Sequence, residues 1–391
     1  MTRLRSLPLF SFDIEMWRRL LGSIVAVNRW KLTKQLSKSF SAGSVVALLT
    51  IAYAMAANPN DVILFNAIQP TGIASNLTDT WYIYGAGTID QHAAVRLKAL
   101  VASKKIPQGS LLFLDSLGGD LLGGMALGRE IRASGLLTYV NGANGMTKYG
   151  TPASKPAVCA SACPLAFLGG RFRYIDEKSI FAVHRFYFRK KGTNDADTAQ
   201  IVSSAIVQYM RDMGVDPQLF TLMTGAGQAE AIIPTREQLL ALNVVNNGQE
   251  KPIWSIESVP QGLYLKGAHN TVWGDNKLTF TCAKTGFLAL TAFFPSRGQD
   301  SLIAIQKASG LLLDGQVLRI PNERVVGPTL LNGTAMVVLV LNRQDVDRLL
   351  NSHTVGVSLQ IAYDAETFSG IADFDFSDGL KKIGGFMSSC H

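Results

Sequence analysis

The sequence has few of the residues that metal and cofactor chemistry needs. It contains four cysteines and five histidines, and it lacks a Walker loop, a metalloprotease helix motif and a dinucleotide glycine fingerprint. Cys159 and Cys163 are four residues apart, but the second ligand pair that usually completes a zinc site is absent from the sequence. We therefore expect no metal, no cofactor and no requirement for ATP.

Beyond its N-terminal segment, the chain also lacks a strong charge of either sign. The net charge is +8, but residues 1–40 hold eight Lys or Arg and two Asp or Glu, so most of the excess lies there. A nucleic-acid-binding domain usually carries a basic patch or stripe on its own surface. We therefore expect no nucleic-acid partner.

The basic N-terminal segment is followed by an apolar run. Residues 39–60 are uncharged, and Ala54, Met55 and Ala56 form an A-x-A cleavage signal before Ala57. Residues 1–57 are therefore interpreted as a basic leader plus a signal peptide. The alternative is an uncleaved anchor, because residues 39–60 are long enough to span a bilayer. Both interpretations predict a periplasmic or exported protein, attached to the inner membrane only if this segment is retained.

Strand and helix signals alternate between residues 80 and 250. The run GSLLFLDS predicts a short buried strand, and LLGGMALGREIRASG predicts a helix that closes at Gly135. This alternation is typical of an α/β domain with crossover helices and a largely parallel sheet, which we assign to residues 58–255. Residues 260–391 hold short β-like runs between turns and predict an all-β domain, whose role the sequence leaves open.

Three short stretches of the α/β region could carry chemistry. Ser161, in AVCASACPLAFLGG, lies at a predicted helix start as a candidate nucleophile, and the alternative is a plain helix N-cap. Gly118 and Gly119 follow a predicted strand and could offer backbone N–H groups to an oxyanion, and the alternative is a tight turn. His184 ends the β-like run FAVHRF as a candidate general base, and the alternative is a packed histidine.

In this order, the three stretches resemble the Clp protease proteolytic-subunit and crotonase superfamily. The resemblance covers about residues 78–250, and it is strongest to an exported bacterial branch with a C-x-S-A-C serine motif. It implies a ClpP/crotonase-like parallel-sheet core followed by the β-rich domain. Ser161 would then attack a carbonyl, and His184 would take its proton and pass it to the leaving group.

The resemblance also implies an oxyanion hole, a substrate and an assembly. The backbone N–H groups of Ala162 and of Gly118 or Gly119 would hold the oxyanion. The substrate would be a peptide or protein, which makes the chain a serine hydrolase of the peptidase type. Members of the superfamily form rings or trimers, so a homo-oligomer is implied. A thioester substrate, as in crotonases, would need an acyl-CoA, which an exported location disfavours.

The chain departs from the superfamily's pattern at its catalytic aspartate. The matching position in GQAEAIIPTREQ is Ala231, so the adjacent Glu230 becomes the candidate third catalytic residue. Remote alternatives are Asp195, Asp197 and Asp216. Because loss of the orienting carboxylate lowers turnover by orders of magnitude, the alternative function is a catalytically inactive envelope binding or scaffold protein.

The four cysteines could form disulfides in an exported protein. They allow three complete pairings, which the sequence does not settle. We favour a bridge between Cys282 and Cys390, because it would close the C-terminal segment near its two ends. Cys159 and Cys163 are then either small buried packing groups or a local bridge.

Overall fold

The computed structural model describes residues 61–71, 79–142, 147, 151–187, 193–226, 230–283, 287–362 and 368–390. The leader, its cleavage signal and the predicted span at 39–60 lie outside these ranges. No helix within them is both long and apolar enough to cross a membrane. The chain divides into two units after Asn247, whereas the sequence had placed the boundary between residues 255 and 260.

The first unit is built on two parallel arrangements of strands. Its described strands are β1 (Leu64–Ile68), β2 (Tyr82–Ala86), β3 (Leu111–Asp115), β4 (Leu137–Val140), β5 (Val158–Ala160), β6 (Arg173–Ile175) and β7 (Ile180–Ala182). One sheet has the order β1-β2-β3-β4-β6, with only β1 antiparallel to its neighbour. Strands β5 and β7 form a separate parallel pair. The parallel sheet predicted from the strand–helix alternation is therefore present.

The described helices of the first unit follow the strands along the chain. They are α1 (Ala93–Lys104), α2 (Leu121–Ala133), α3 (Ala162–Phe167), α4 (Asp195–Asp212), α5 (Gln218–Gly225) and α6 (Arg236–Ala241). Helix α2 begins after β3 because Asp120 caps it, with the carboxylate accepting a hydrogen bond from the Gly123 amide at 2.6 Å. It ends two residues before Gly135, which takes a positive φ of 65°.

A buried guanidinium ties β6 to the segment after α6. Arg173 is 2% exposed, and it donates hydrogen bonds to the carbonyls of Gly170 at 2.7 Å, Asn243 at 2.6 Å and Val244 at 2.8 Å. The segment PTREQLLALNVV predicts a short helix and a final strand. The helix is α6, whereas the described residues Val244 and Val245 form no strand, and the Val244 carbonyl accepts a hydrogen bond from Arg173.

The second unit contains two antiparallel sheets. Its strands are β8 (Ile253–Val259), β9 (Gly262–Thr271), β10 (Gly274–Ala283), β11 (Phe287–Pro295), β12 (Ala308–Leu313), β13 (Gln316–Ile320), β14 (Val325–Leu331), β15 (Thr334–Leu341), β16 (Thr354–Gln360) and β17 (Ser369–Asp375). The orders are β14-β15-β11-β10-β9-β8 and β13-β12-β16-β17. Alternating apolar residues of both sheets fill a separate core.

The second unit is not all-β, in contrast to the prediction. Helices α7 (Asp300–Ala304), α8 (Arg343–Leu349) and α9 (Ser377–Met387) accompany its strands. Helix α9 packs Ile383 and Phe386 into the core, three residues apart on one helix face. Its three glycines weaken this pattern in the sequence, whereas the run RQDVDRLLNS, which forms α8, indicates a helix.

Candidate active site

Ser161 occupies the turn between β5 and α3. Its backbone has φ 61° and ψ −109°, a conformation that residues with a Cβ rarely adopt. Its side chain makes no capping hydrogen bond to helix α3, so the plain N-cap interpretation has no support in the described residues. Strained backbone at a nucleophile raises its hydroxyl out of the turn and costs on the order of 1–3 kcal/mol. The surrounding structure must hold Ser161 there.

Gly118 lies directly against Ser161. It has a φ of 102°, and a Cβ added to it would lie 2.5 Å from Ser161 Cβ and 2.8 Å from the Ala162 nitrogen. Only glycine fits this contact, because any side chain would collide with the turn at Ser161. Gly118, one of the two glycines that the sequence singled out, therefore meets the serine motif in space.

The three predicted oxyanion donors differ in how their N–H groups are used. The Gly118 amide donates to Ser116 Oγ at 3.1 Å, and Ser116 Oγ donates to the Gly87 carbonyl at 2.6 Å. Within the described part of the chain, neither the Gly119 amide nor the Ala162 amide has a hydrogen-bond acceptor. Ala162 is the first residue of α3, where an amide has no partner inside the helix. Of the three candidates, Gly119 and Ala162 thus have amides that no acceptor among the described residues uses.

His184 follows the strand that is paired with the serine strand. Ala160 is in register with Ala182, and the Ser161 amide donates to the Ala182 carbonyl at 3.3 Å. Because β5 and β7 are parallel, the residues after them leave the same edge of the pair. Ser161 and His184, which are 23 residues apart in the sequence, therefore both follow the same edge of this strand pair. No hydrogen bond joins the two side chains in the described structure.

The histidine ring is buried and held by a main-chain carbonyl. His184 is 5% exposed, and its Nδ1 lies 2.8 Å from the Arg185 oxygen. This contact places the proton on Nδ1, because a carbonyl oxygen only accepts, and leaves Nε2 as the basic nitrogen. Burial lowers the pKa of His184 below its ordinary value, and the hydrogen bond to Arg185 opposes that shift only in part. A neutral imidazole is the form that a general base requires.

The position opposite His184 is Ala231, whose side chain is a methyl group. Val183 and Ile232 exchange two backbone hydrogen bonds, of 2.9 and 2.8 Å, in an antiparallel bridge. Continuing that register by one residue sets Ala231 across from His184. Glu230 is exposed beside it. The acceptor on Nδ1 is the Arg185 carbonyl, a group that sequence reasoning missed because every residue has one.

The remote carboxylates have other surroundings. Asp195 and Asp197 lie in the first turn of α4, and Asp216 accepts a hydrogen bond from the Gln218 amide at 2.9 Å before α5. In each case the acid lies near a helix start, where a negative charge is stabilised by the helix dipole.

Both cysteine pairs lie at disulfide distance and are bonded. Cys159 joins Cys163 around Ser161, and Cys282 joins Cys390 across 108 residues of the second unit. With its two sulfurs bonded to each other, the first pair has no thiolate to offer a metal ion. Cys159 and Cys163 thus form the local bridge that the sequence had left as one of two alternatives.

Gly124 supports the oxyanion side of the site, and sequence reasoning missed it. It lies in the first half of α2, and a Cβ added there would lie 2.6 Å from the Ala162 carbonyl oxygen. The glycine lets α2 approach the first turn of α3 closely. Its signal in the sequence is the run of small residues in GGMALG, which is typical of close helix packing.

Comparison with known proteins adds little to this geometry. No protein-family model matches the sequence, and no curated protein matches it. Among solved structures, a mutant of ClpP1 from Listeria monocytogenes is similar with a TM-score of 0.31 and 13% sequence identity, covering 42% of this chain and 88% of that one. A likeness this weak supports no inference about activity or assembly.

Proposed function

We propose that the protein is an exported serine hydrolase that cleaves peptide bonds. The observation that carries this proposal is the backbone of Ser161, held at φ 61° between β5 and α3 with Gly118 packed on it. A serine in a packing role gains nothing from such a conformation, whereas a nucleophile needs its hydroxyl raised out of the turn.

The proposed reaction uses groups that lie around this serine. His184 Nε2 takes the proton of the Ser161 hydroxyl as its oxygen attacks the carbonyl carbon, and the Gly119 and Ala162 amides stabilise the oxyanion. The imidazolium then gives the proton to the leaving amine, and water releases the acyl group by the same steps. The Arg185 carbonyl orients the ring, in place of the usual carboxylate. In free enzymes the contact between nucleophile and base is commonly long and shortens when substrate binds.

The proposed location outside the cytoplasm has one structural support. Two disulfides, one in each unit, are bonds that form and persist in oxidising compartments. Together with the predicted signal peptide, they favour a periplasmic or exported protein.

A fluorophosphonate, which reacts with activated serines, tests the proposed function. The full chain should be labelled on one serine, and Ser161→Ala and His184→Ala should each abolish the labelling. The matched controls are Ser352→Ala and His353→Ala, both in the second unit, which should be labelled like the wild type. Labelling that persists in Ser161→Ala would overturn the assignment of the nucleophile.

The second candidate is a catalytically inactive binding or scaffold protein. The observation that favours it is Ala231, which stands opposite His184 and offers no carboxylate. A wild-type protein that is folded by circular dichroism and takes no label at any pH between 5 and 9 would establish this candidate in place of the hydrolase.

A further inference from the structure

The Cys159–Cys163 disulfide closes a short loop of chain whose middle residue is Ser161. Both cysteines are fully buried, so the bridge lies beneath the serine and not at the surface. Five residues joined in this way leave the backbone little freedom to turn. The bridge therefore acts on the same φ and ψ angles that make Ser161 unusual.

The two ends of the bridge are attached to rigid parts of the first unit. On one side, β5 is tied to the end of β3, since the Ser116 amide donates to the Val158 carbonyl at 2.7 Å and the Ala160 amide donates to Ser116 at 3.0 Å. On the other side, Cys163 lies in helix α3, whose six residues are all buried. The disulfide thus fixes the distance between a strand and a helix across the nucleophile.

At Ser161 itself, the described residues supply only one other bond to the turn. The Ser161 amide makes a long hydrogen bond of 3.3 Å to Ala182, and its side chain makes no cap. Gly118 limits how far the turn can move but forms no bond with it. Without another restraint, a serine with φ 61° would relax toward a common backbone conformation.

We propose that the Cys159–Cys163 disulfide is a positioning element for the nucleophile: it holds Ser161 in its raised conformation and fixes the Ala162 amide beside it. This inference rests on the proposed function, because it treats Ser161 as the reacting group. Loss of the bridge should lower the rate of Ser161 acylation by about ten- to a hundredfold, the factor that releasing a strained residue represents.

The test compares two double variants of the full chain. Cys159→Ala/Cys163→Ala removes the bridge around Ser161, and Cys282→Ala/Cys390→Ala removes the other bridge as the matched control. Fluorophosphonate labelling is measured against probe concentration at a temperature where both are folded. In Cys159→Ala/Cys163→Ala, the maximal labelling rate should fall, and the probe concentration that gives half of that rate should change little. The pH at which labelling is half-maximal should equal that of the wild type. A purely structural bridge would lower stability and leave the maximal rate per folded molecule unchanged, which would overturn the proposal.

A second measurement serves if the alanine variant does not fold. In Cys282→Ala/Cys390→Ala only the Ser161 bridge remains, so a phosphine reduces one disulfide to two thiols and becomes a phosphine oxide. Oxidised glutathione then restores the bridge and leaves as two molecules of glutathione. The labelling rate should fall when the disulfide is reduced and return when it is reoxidised. A labelling rate that is the same in both states would contradict the proposal.

A crystal structure of Cys159→Ala/Cys163→Ala, or of the reduced control variant, tests the effect of the bridge on the Ser161 backbone without any measurement of activity. If the wild type takes no label, the proposed function fails, yet the conformation of Ser161 still reports on the bridge. A φ that leaves the positive region supports the positioning role. A φ that stays near its present value overturns it.

Discussion

Replacing Gly124 by alanine should separate catalysis from stability in this protein. An added Cβ would lie 2.6 Å from the Ala162 oxygen, whereas ordinary contact begins at 3.4 Å, so α2 and the first turn of α3 must separate by about 0.8 Å. Overpacking of this kind costs about 1–3 kcal/mol. Alanine in a helix interior stabilises the folded state by about 1 kcal/mol relative to glycine. The net loss of stability should therefore stay below about 2 kcal/mol.

The effect on reactivity should be larger, because the residue that moves carries an oxyanion donor. A misplacement near 1 Å can cost about a hundredfold in rate. We expect Gly124→Ala to be labelled by a fluorophosphonate at least tenfold more slowly than the wild type while it remains folded. The assay pairs labelling kinetics with thermal unfolding monitored by circular dichroism.

The matched control is Gly384→Ala in helix α9. This glycine also lies within a helix, but an added Cβ would meet nothing within 4 Å. Gly384→Ala should gain about 0.5–1 kcal/mol of stability and keep its labelling rate. Wild-type labelling in Gly124→Ala, together with wild-type stability, would refute the reasoning that α2 positions Ala162.

Three further predictions concern other parts of the chain. Burial lowers the pKa of His184 below its ordinary value of 6.5, and a general base must be neutral. The pH at which labelling is half-maximal should therefore lie below 6.5. A half-maximal pH above 6.5 would contradict the buried geometry. Arg173→Lys should lower the free energy of unfolding in urea by about 2–4 kcal/mol, because an ammonium group cannot donate to all three buried carbonyls that Arg173 binds. An unchanged urea midpoint would show that these hydrogen bonds do not stabilise the fold. Removal of the Cys282–Cys390 bridge should cost about 2–5 kcal/mol, seen as a lower melting temperature of the second unit alone.

The first unit was largely predictable because its signals are local. GSLLFLDS is a continuous apolar run bounded by glycine and a polar end, and it forms β3 with three consecutive buried residues. The helix after it begins at a side-chain cap that the sequence contains, Asp120. Elements of this kind carry their own start and stop residues.

The candidate site was predictable only in part. Ser161, Gly118 and His184 were selected as candidates from residue type and order. In the structure, Gly118 packs on Ser161, and the strands that precede Ser161 and His184 are paired. The acceptor on His184 was not among these candidates, because the Arg185 carbonyl depends on a backbone angle and not on a side chain. The choice between a helix cap and a raised nucleophile at Ser161 likewise depends on φ, which serine does not specify.

The second unit was the least predictable. Alternating runs such as KLTFTCA indicate strands, but alternation does not say which of two sheets a strand joins. Helix α9 was difficult to predict because Gly379, Gly384 and Gly385 interrupt the apolar pattern of its sequence. Its burial comes from contacts with strands far away in the sequence.

The Cys282–Cys390 bridge also changes how the second unit carries a pulling force. Tension applied between Cys282 and Cys390 would pass through the disulfide and not through the chain between them. The intervening residues, which include strands β11–β17, would bear none of it. A single proteolytic cut inside that loop would leave its two pieces covalently joined until a reductant separates them. One cut between Cys282 and Cys390 therefore releases no part of the chain.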